Sequence, residues 1–174
     1  MFSRISKSSK NFNNIQFFEE VLKKSITEAQ TISFSSNKKE MKCTRYDKNI
    51  GEFVVDVYSF PEDSAGKFDN VVGKQYDSFP QNIITGNKMF GSTKLFLRTE
   101  LLSGTVLASN VLVLDNIRAF YYRPNKYPGS TGSNPAIHWD NIMIGVVYEE
   151  QIIPNVSKRQ TKSFCFAVRN GSIL

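Results

Sequence analysis

The chain is expected to be mainly β, an antiparallel β-sandwich of jelly-roll type preceded by one amphipathic α-helix. Three observations carry this expectation. From residue 41 onward, apolar residues recur with a period of two. Only one segment, ahead of residue 31, shows helical spacing. After it no stretch can serve as a βαβ crossover helix, so the strands must be joined as antiparallel neighbours. A chain of 174 residues with 40% hydrophobic content buries about two-thirds of its unfolded surface as one domain. Residues 31–174 are therefore read as a single β-rich unit.

Residues 1–14 are rich in Ser, Asn and Lys and carry Arg4, Lys7 and Lys10 without an acid. This composition predicts a flexible basic arm. Next, Ile15, Phe18, Leu22, Ile26 and Ala29 fall on one face at helical spacing, and Asn13 with Gln16 can form a capping box. A helix over 15–30 follows, with Glu19–Lys23 and Glu20–Lys24 as favourable i,i+4 pairs on its exposed side. Phe17 and Val21 widen the apolar stripe, so this face needs a cover. On general grounds the chain's own β-rich body is the first choice of cover, with a second copy or a membrane as the others; the assignment made is a second copy, with Ile15, Phe18, Leu22 and Ile26 as the self-association surface.

Phe53, Val55 and Val57 alternate with Val54, Asp56 and Tyr58; Leu95, Leu97 and Thr99 alternate with Phe96, Arg98 and Glu100; Ile142, Ile144, Val146 and Tyr148 continue the pattern. Further strands are expected at 41–46, 105–114, 117–122, 151–156 and 163–169, enough for two packed sheets. Pro154 makes 151–156 an edge or a kinked strand. The long connections 59–91 and 123–136 exceed the usual loop length, which marks both as candidate sites.

Charge is segregated. Residues 1–50 hold ten Lys/Arg against five Asp/Glu, residues 51–150 hold eight against eleven, and residues 151–174 hold four against none. A mildly acidic body with basic ends points to an anionic partner such as RNA, a nucleocapsid protein or a membrane surface. Tyr122, Arg123, Lys126 and Tyr127 mix aromatic faces with cations, the combination that stacks on unpaired bases while neutralising phosphates. Lys158, Arg159 and Lys162 add a second cluster, and Arg4, Lys7 and Lys10 a third.

No catalytic constellation is marked. The single histidine, His138, stands in Ile137-His138-Trp139-Asp140, where His-x-Asp offers two metal donors but no third or fourth. It is read, with Trp139 and the 123–136 loop, as part of a contact surface. Asp115, ending the run Val111-Leu112-Val113-Leu114, is expected to accept hydrogen bonds from a turn or to pair with Arg118. Gly91-Ser92-Thr93-Lys94 lacks the spacing of a phosphate loop. No metal, cofactor or small-molecule substrate is expected.

Cys43 and Cys165 are too few for a disulfide framework or a four-cysteine zinc site, so reduced thiols are expected. No apolar run fits a signal peptide or a membrane span, which predicts a cytosolic or nuclear setting. The sequons Asn155-Val156-Ser157 and Asn170-Gly171-Ser172 are accordingly read as coincidental.

A basic arm, a short helix and an antiparallel sandwich together resemble small viral structural proteins, namely single jelly-roll capsid proteins and the small matrix proteins of plant-infecting rhabdoviruses. His138-Trp139-Asp140-Asn141-Ile142-Met143-Ile144-Gly145 resembles a His-Trp-Asp segment ending in Ile-Gly in animal rhabdovirus matrix proteins, though it lies nearer the C-terminus here. Val111-Leu112-Val113-Leu114-Asp115-Asn116-Ile117-Arg118 is similar to the strand ending in Asp and Arg of the thirty-kilodalton superfamily of plant-virus movement proteins, with a longer Asp-to-Arg spacing. These resemblances imply a non-enzymatic, self-associating matrix- or capsid-like protein of the virion and host cytoplasm. A movement protein that binds single-stranded nucleic acid is the alternative.

Overall fold

The structure is a computed structural model, and it describes residues 2–61, 87–88, 93–125, 140–168 and 172–173. Helix α1 (Phe2–Thr27) is followed by strands β1 (Ala29–Phe34), β2 (Glu40–Asp47), β3 (Glu52–Ser59), β4 (Asn87–Lys88) and β5 (Leu95–Leu101). Then come β6 (Val106–Leu114), β7 (Ile117–Asn125), β8 (Asp140–Ile153), β9 (Val156–Val168) and β10 (Ser172–Ile173). One sheet has the order β10-β1-β2-β3-β5-β6, the other β4-β7-β8-β9. All pairings among the described residues are antiparallel except β1 with β10. The expected mainly β, sandwich-like architecture is present, with the chain passing between the sheets at β3–β4–β5, β6–β7 and β9–β10.

The helix begins at Phe2. Residues 2–14, expected as a flexible arm, thus continue the helix, and the capping box at Asn13 does not start it. Extending a docked helix adds one hydrogen bond per residue fixed, whereas nucleation is the costly step. At its other end the helix stops three residues early. Thr27 Oγ1 turns back to the Lys23 carbonyl at 2.7 Å, and Ala29 already belongs to β1.

The stripe Ile15, Phe18, Leu22 and Ile26 is buried in this chain's own core. This corrects its assignment to self-association. The helix contacts β8 and β9 of one sheet and β6, β2 and β1 of the other, so the two sheets supply the cover themselves. Each such side chain contributes about 1.5–3 kcal/mol on burial. Phe18 meets Phe164 edge-on with ring centroids 5.9 Å apart. Ile32, Met41 and Leu95 of the first sheet and Phe120, Ile142 and Ile144 of the second complete the core.

Two turns show why particular residues are needed. Between β2 and β3, Asp47 Oδ1 accepts from the backbone N–H groups of Asn49 and Ile50 at 2.9 and 3.3 Å, and Gly51 takes φ +75°, which favours a residue without Cβ. Between β8 and β9, Pro154 and Asn155 form the turn, with Asn155 at φ 66°. The expected separate strand 151–156 is therefore a hairpin tip: proline presets one turn position and asparagine tolerates the left-handed one.

Candidate assembly and partner-binding surfaces

The strongest surface feature is the edge strand β6. Among the described residues it pairs with β5 on one side and ends the sheet on the other. Val106 is 53% exposed, Leu107 44%, Val111 51% and Leu112 41%, and Leu102 at the β5–β6 turn reaches 65%. The turn itself is tight, with Leu101 N–H on the Thr105 carbonyl at 2.8 Å and Gly104 at φ +93°. No Lys, Arg, Asp, Glu or Pro interrupts Val106–Leu114, so the strand lacks the charges that usually blunt an edge. Its register with β5 does shift at three places, between Leu95 and Phe96, between Leu97 and Thr99, and between Thr99 and Glu100.

Asp115 follows this strand and accepts from the Asn116 N–H at 2.7 Å, which is the turn role expected for it. Arg118 instead reaches Glu149 on β8 at 2.9 Å. Arg159 approaches the same carboxylate at 3.7 Å. The hydrogen bond from Arg118 is the main cause holding the Glu149 carboxyl below its ordinary value, against partial desolvation.

The expected Lys158, Arg159 and Lys162 cluster divides across the sheet. Strand alternation sends residues 158 and 162 to the face of buried Phe164, whereas Arg159 points to the opposite face with Glu149. All three are exposed, and the Lys162 ammonium lies 6.0 Å from the Phe164 ring centroid. Tyr122, expected on a binding face, is buried and stacked on Phe34 with centroids 3.7 Å apart. Its even position in β7 places it with Phe120 on the core side. Arg123 is part-exposed on the other face. The backbone of Arg4, Lys7 and Lys10 is helical, which sets them within α1. Lys126, Tyr127, His138, Trp139 and most of the 59–91 and 123–136 connections lie outside the described residues.

A polar network that the sequence did not mark lies inside the fold. Asp56 on β3 faces the core, where its carboxylate accepts from Arg45 Nε at 2.7 Å, Ser25 Oγ at 2.7 Å, Thr99 Oγ1 at 2.9 Å and Arg45 Nη2 at 3.4 Å. Ser25 Oγ also lies 2.8 Å from the Tyr58 hydroxyl. The only signal in the sequence is a carboxylate, Asp56, on an otherwise apolar strand. Burial pushes the Tyr58 hydroxyl and the neighbouring Cys43 thiol up, so neither supplies an anionic nucleophile. With Ser25 only 2% exposed, the network joins helix to sheet instead of opening to a substrate.

Beside it lies an open cleft of 520 Å³ lined by Lys24, Glu28, Arg45, Asp47 and Lys48. Three cations and two carboxylates line it, and Arg45 at its floor is held by Asp56, Asp47 and Glu28. Among the described residues no group of three His, Cys, Asp or Glu can hold a metal ion, and no helix is long and apolar enough to cross a membrane. Both cysteines are free, Cys43 buried and Cys165 exposed. No family model, curated protein or solved structure matches this chain.

Proposed function

We propose that this chain is a non-enzymatic structural protein that assembles with copies of itself and contacts an anionic partner, RNA or a nucleocapsid protein, through its basic ends. The observation that supports it is the β6 edge, which carries exposed valines and leucines and no charged side chain and which ends its sheet among the described residues. Such an edge is a template for another strand. A matrix-like role in a virion fits a protein of this kind and rests on the resemblance carried by residues 138–145, whereas the resemblance carried by residues 111–118 is to movement proteins and belongs to the alternative.

Sedimentation velocity across a wide concentration range, with electron microscopy of the same samples, tests the reading. Concentration-dependent, regular assemblies are expected, with single-stranded RNA or an acidic polymer promoting them. A particle that stays monomeric at all concentrations, and coats RNA irregularly, would instead favour the transport-protein alternative.

A further inference from the structure

We infer that β6 pairs antiparallel with β6 of a second copy, in a register centred on Ser109, and so joins the two six-stranded sheets into one continuous sheet. This deepens the self-association proposed above and rests on it. The edge fits a copy of itself because its exposed apolar residues are placed symmetrically about Ser109. In that register Val106 stands opposite the partner's Leu112, and Leu107 opposite the partner's Val111. Every exposed large apolar side chain of the strand thus meets another across the dyad.

Charge permits a copy here. The chain carries a net charge of +6, so two copies repel each other overall, but Val106–Leu114 contains no ionisable side chain. An identical strand laid opposite meets no like charge there. The interface is isologous and closes as a two-fold dimer, because each edge satisfies the other. The register of β6 with β5 shifts opposite Arg98, where Ser109 and Asn110 stand at the dyad, and again at Leu107 and at Val113, so the strand twists along its length.

The full-length chain is compared with three double variants by sedimentation equilibrium, with circular dichroism reporting the fold. Leu107→Lys with Val111→Lys places like charges opposite each other and should weaken association at least tenfold. Leu107→Lys with Val111→Glu places each new ammonium opposite a new carboxylate across the dyad and should restore it. Leu107→Lys with Leu112→Glu puts the charges out of register and should not. Should the double-lysine variant fail to fold, Val111→Lys alone, which sets an ammonium against Leu107 of the other copy at two symmetric places, should still weaken association.

If the wild-type chain associates but the lysine variants associate equally well, this interface is wrong while the self-association reading stands. Equal rescue by the in-register and out-of-register variants would overturn the register. A wild-type chain that is monomeric throughout removes both.

Discussion

Asp56 shows how much one side chain can hold in this fold. Its carboxylate ties α1 through Ser25, β2 through Arg45 and β5 through Thr99. Removing one partner of a buried pair costs about 3–5 kcal/mol. For Asp56→Ala we expect the low end, about 3 kcal/mol, because Arg45 keeps Asp47 and Glu28 nearby. Ser25→Ala should cost about 1–3 kcal/mol, and urea unfolding of both variants checks the order. Glu149 gives a pH dependence. Its folded carboxyl sits below the ordinary value of 4.5, so it binds protons less readily in the folded than in the unfolded chain. Its contribution is full above 4.5 and is lost as pH falls through the lower folded value. Glu149→Gln should flatten that part of the acid-unfolding curve; an unchanged curve would mean the Arg118 pair adds nothing. Thiol labelling offers a further check, since Cys165 is exposed and Cys43 buried. Native protein should react rapidly at Cys165 alone, and Cys43 only after denaturation.

The elements differ in how plainly their residues announce them. The spacing of Ile15, Phe18, Leu22 and Ile26 identifies the helix and its buried face correctly, yet the same pattern is silent about what covers that face. An apolar stripe docks with equal chemistry on a copy or on its own sheets, and here Phe164 and the facing strands fill the role. Leu22→Ala should therefore cost about 2–5 kcal/mol of stability at any protein concentration. Phe18→Asp with Leu22→Asp should abolish the β-rich circular dichroism signal; a folded monomer from that variant would return the helix to an intermolecular role. Strands β2, β3, β5 and β6 lie within about a residue of their expected ranges. β1 was hidden because Ala29 completes the helical pattern, and the first half of β9 because Val156–Lys162 is mostly polar: hairpin pairing with β8, not burial, makes it a strand.

Across the molecule, charge and apolar surface are separated in a way that suits assembly. The β6 edge is uncharged, whereas the β9 end of the other sheet exposes Lys158 and Lys162 on one face. If RNA is the partner, Lys158→Ala with Lys162→Ala should reduce the slope of log affinity against log salt by about 1.4, at about 0.7 for each single-strand phosphate no longer neutralised. Arg159→Ala should have the smaller effect, because its guanidinium is already near Glu149. Filter binding of single-stranded RNA at several salt concentrations measures this. Equal slopes in all three proteins would place the anionic partner elsewhere on the surface.

Periodicity and composition were enough for the sandwich-like β architecture, the preceding helix, the identity of its apolar stripe and the turn role of Asp115. These are local properties: a period of two or of 3.6 residues is written in neighbouring side chains, and so is a carboxylate beside a turn. Residues distant in the chain met through pairing that no local pattern specifies. That pairing buried Tyr122 on Phe34, split Lys158 and Lys162 from Arg159, joined Ser25 and Asp56 across the core, and left β6 at the end of its sheet. Strand order and register chose which alternate face turned inward and which edge stayed open, because those depend on the partner strand as much as on the strand's own residues.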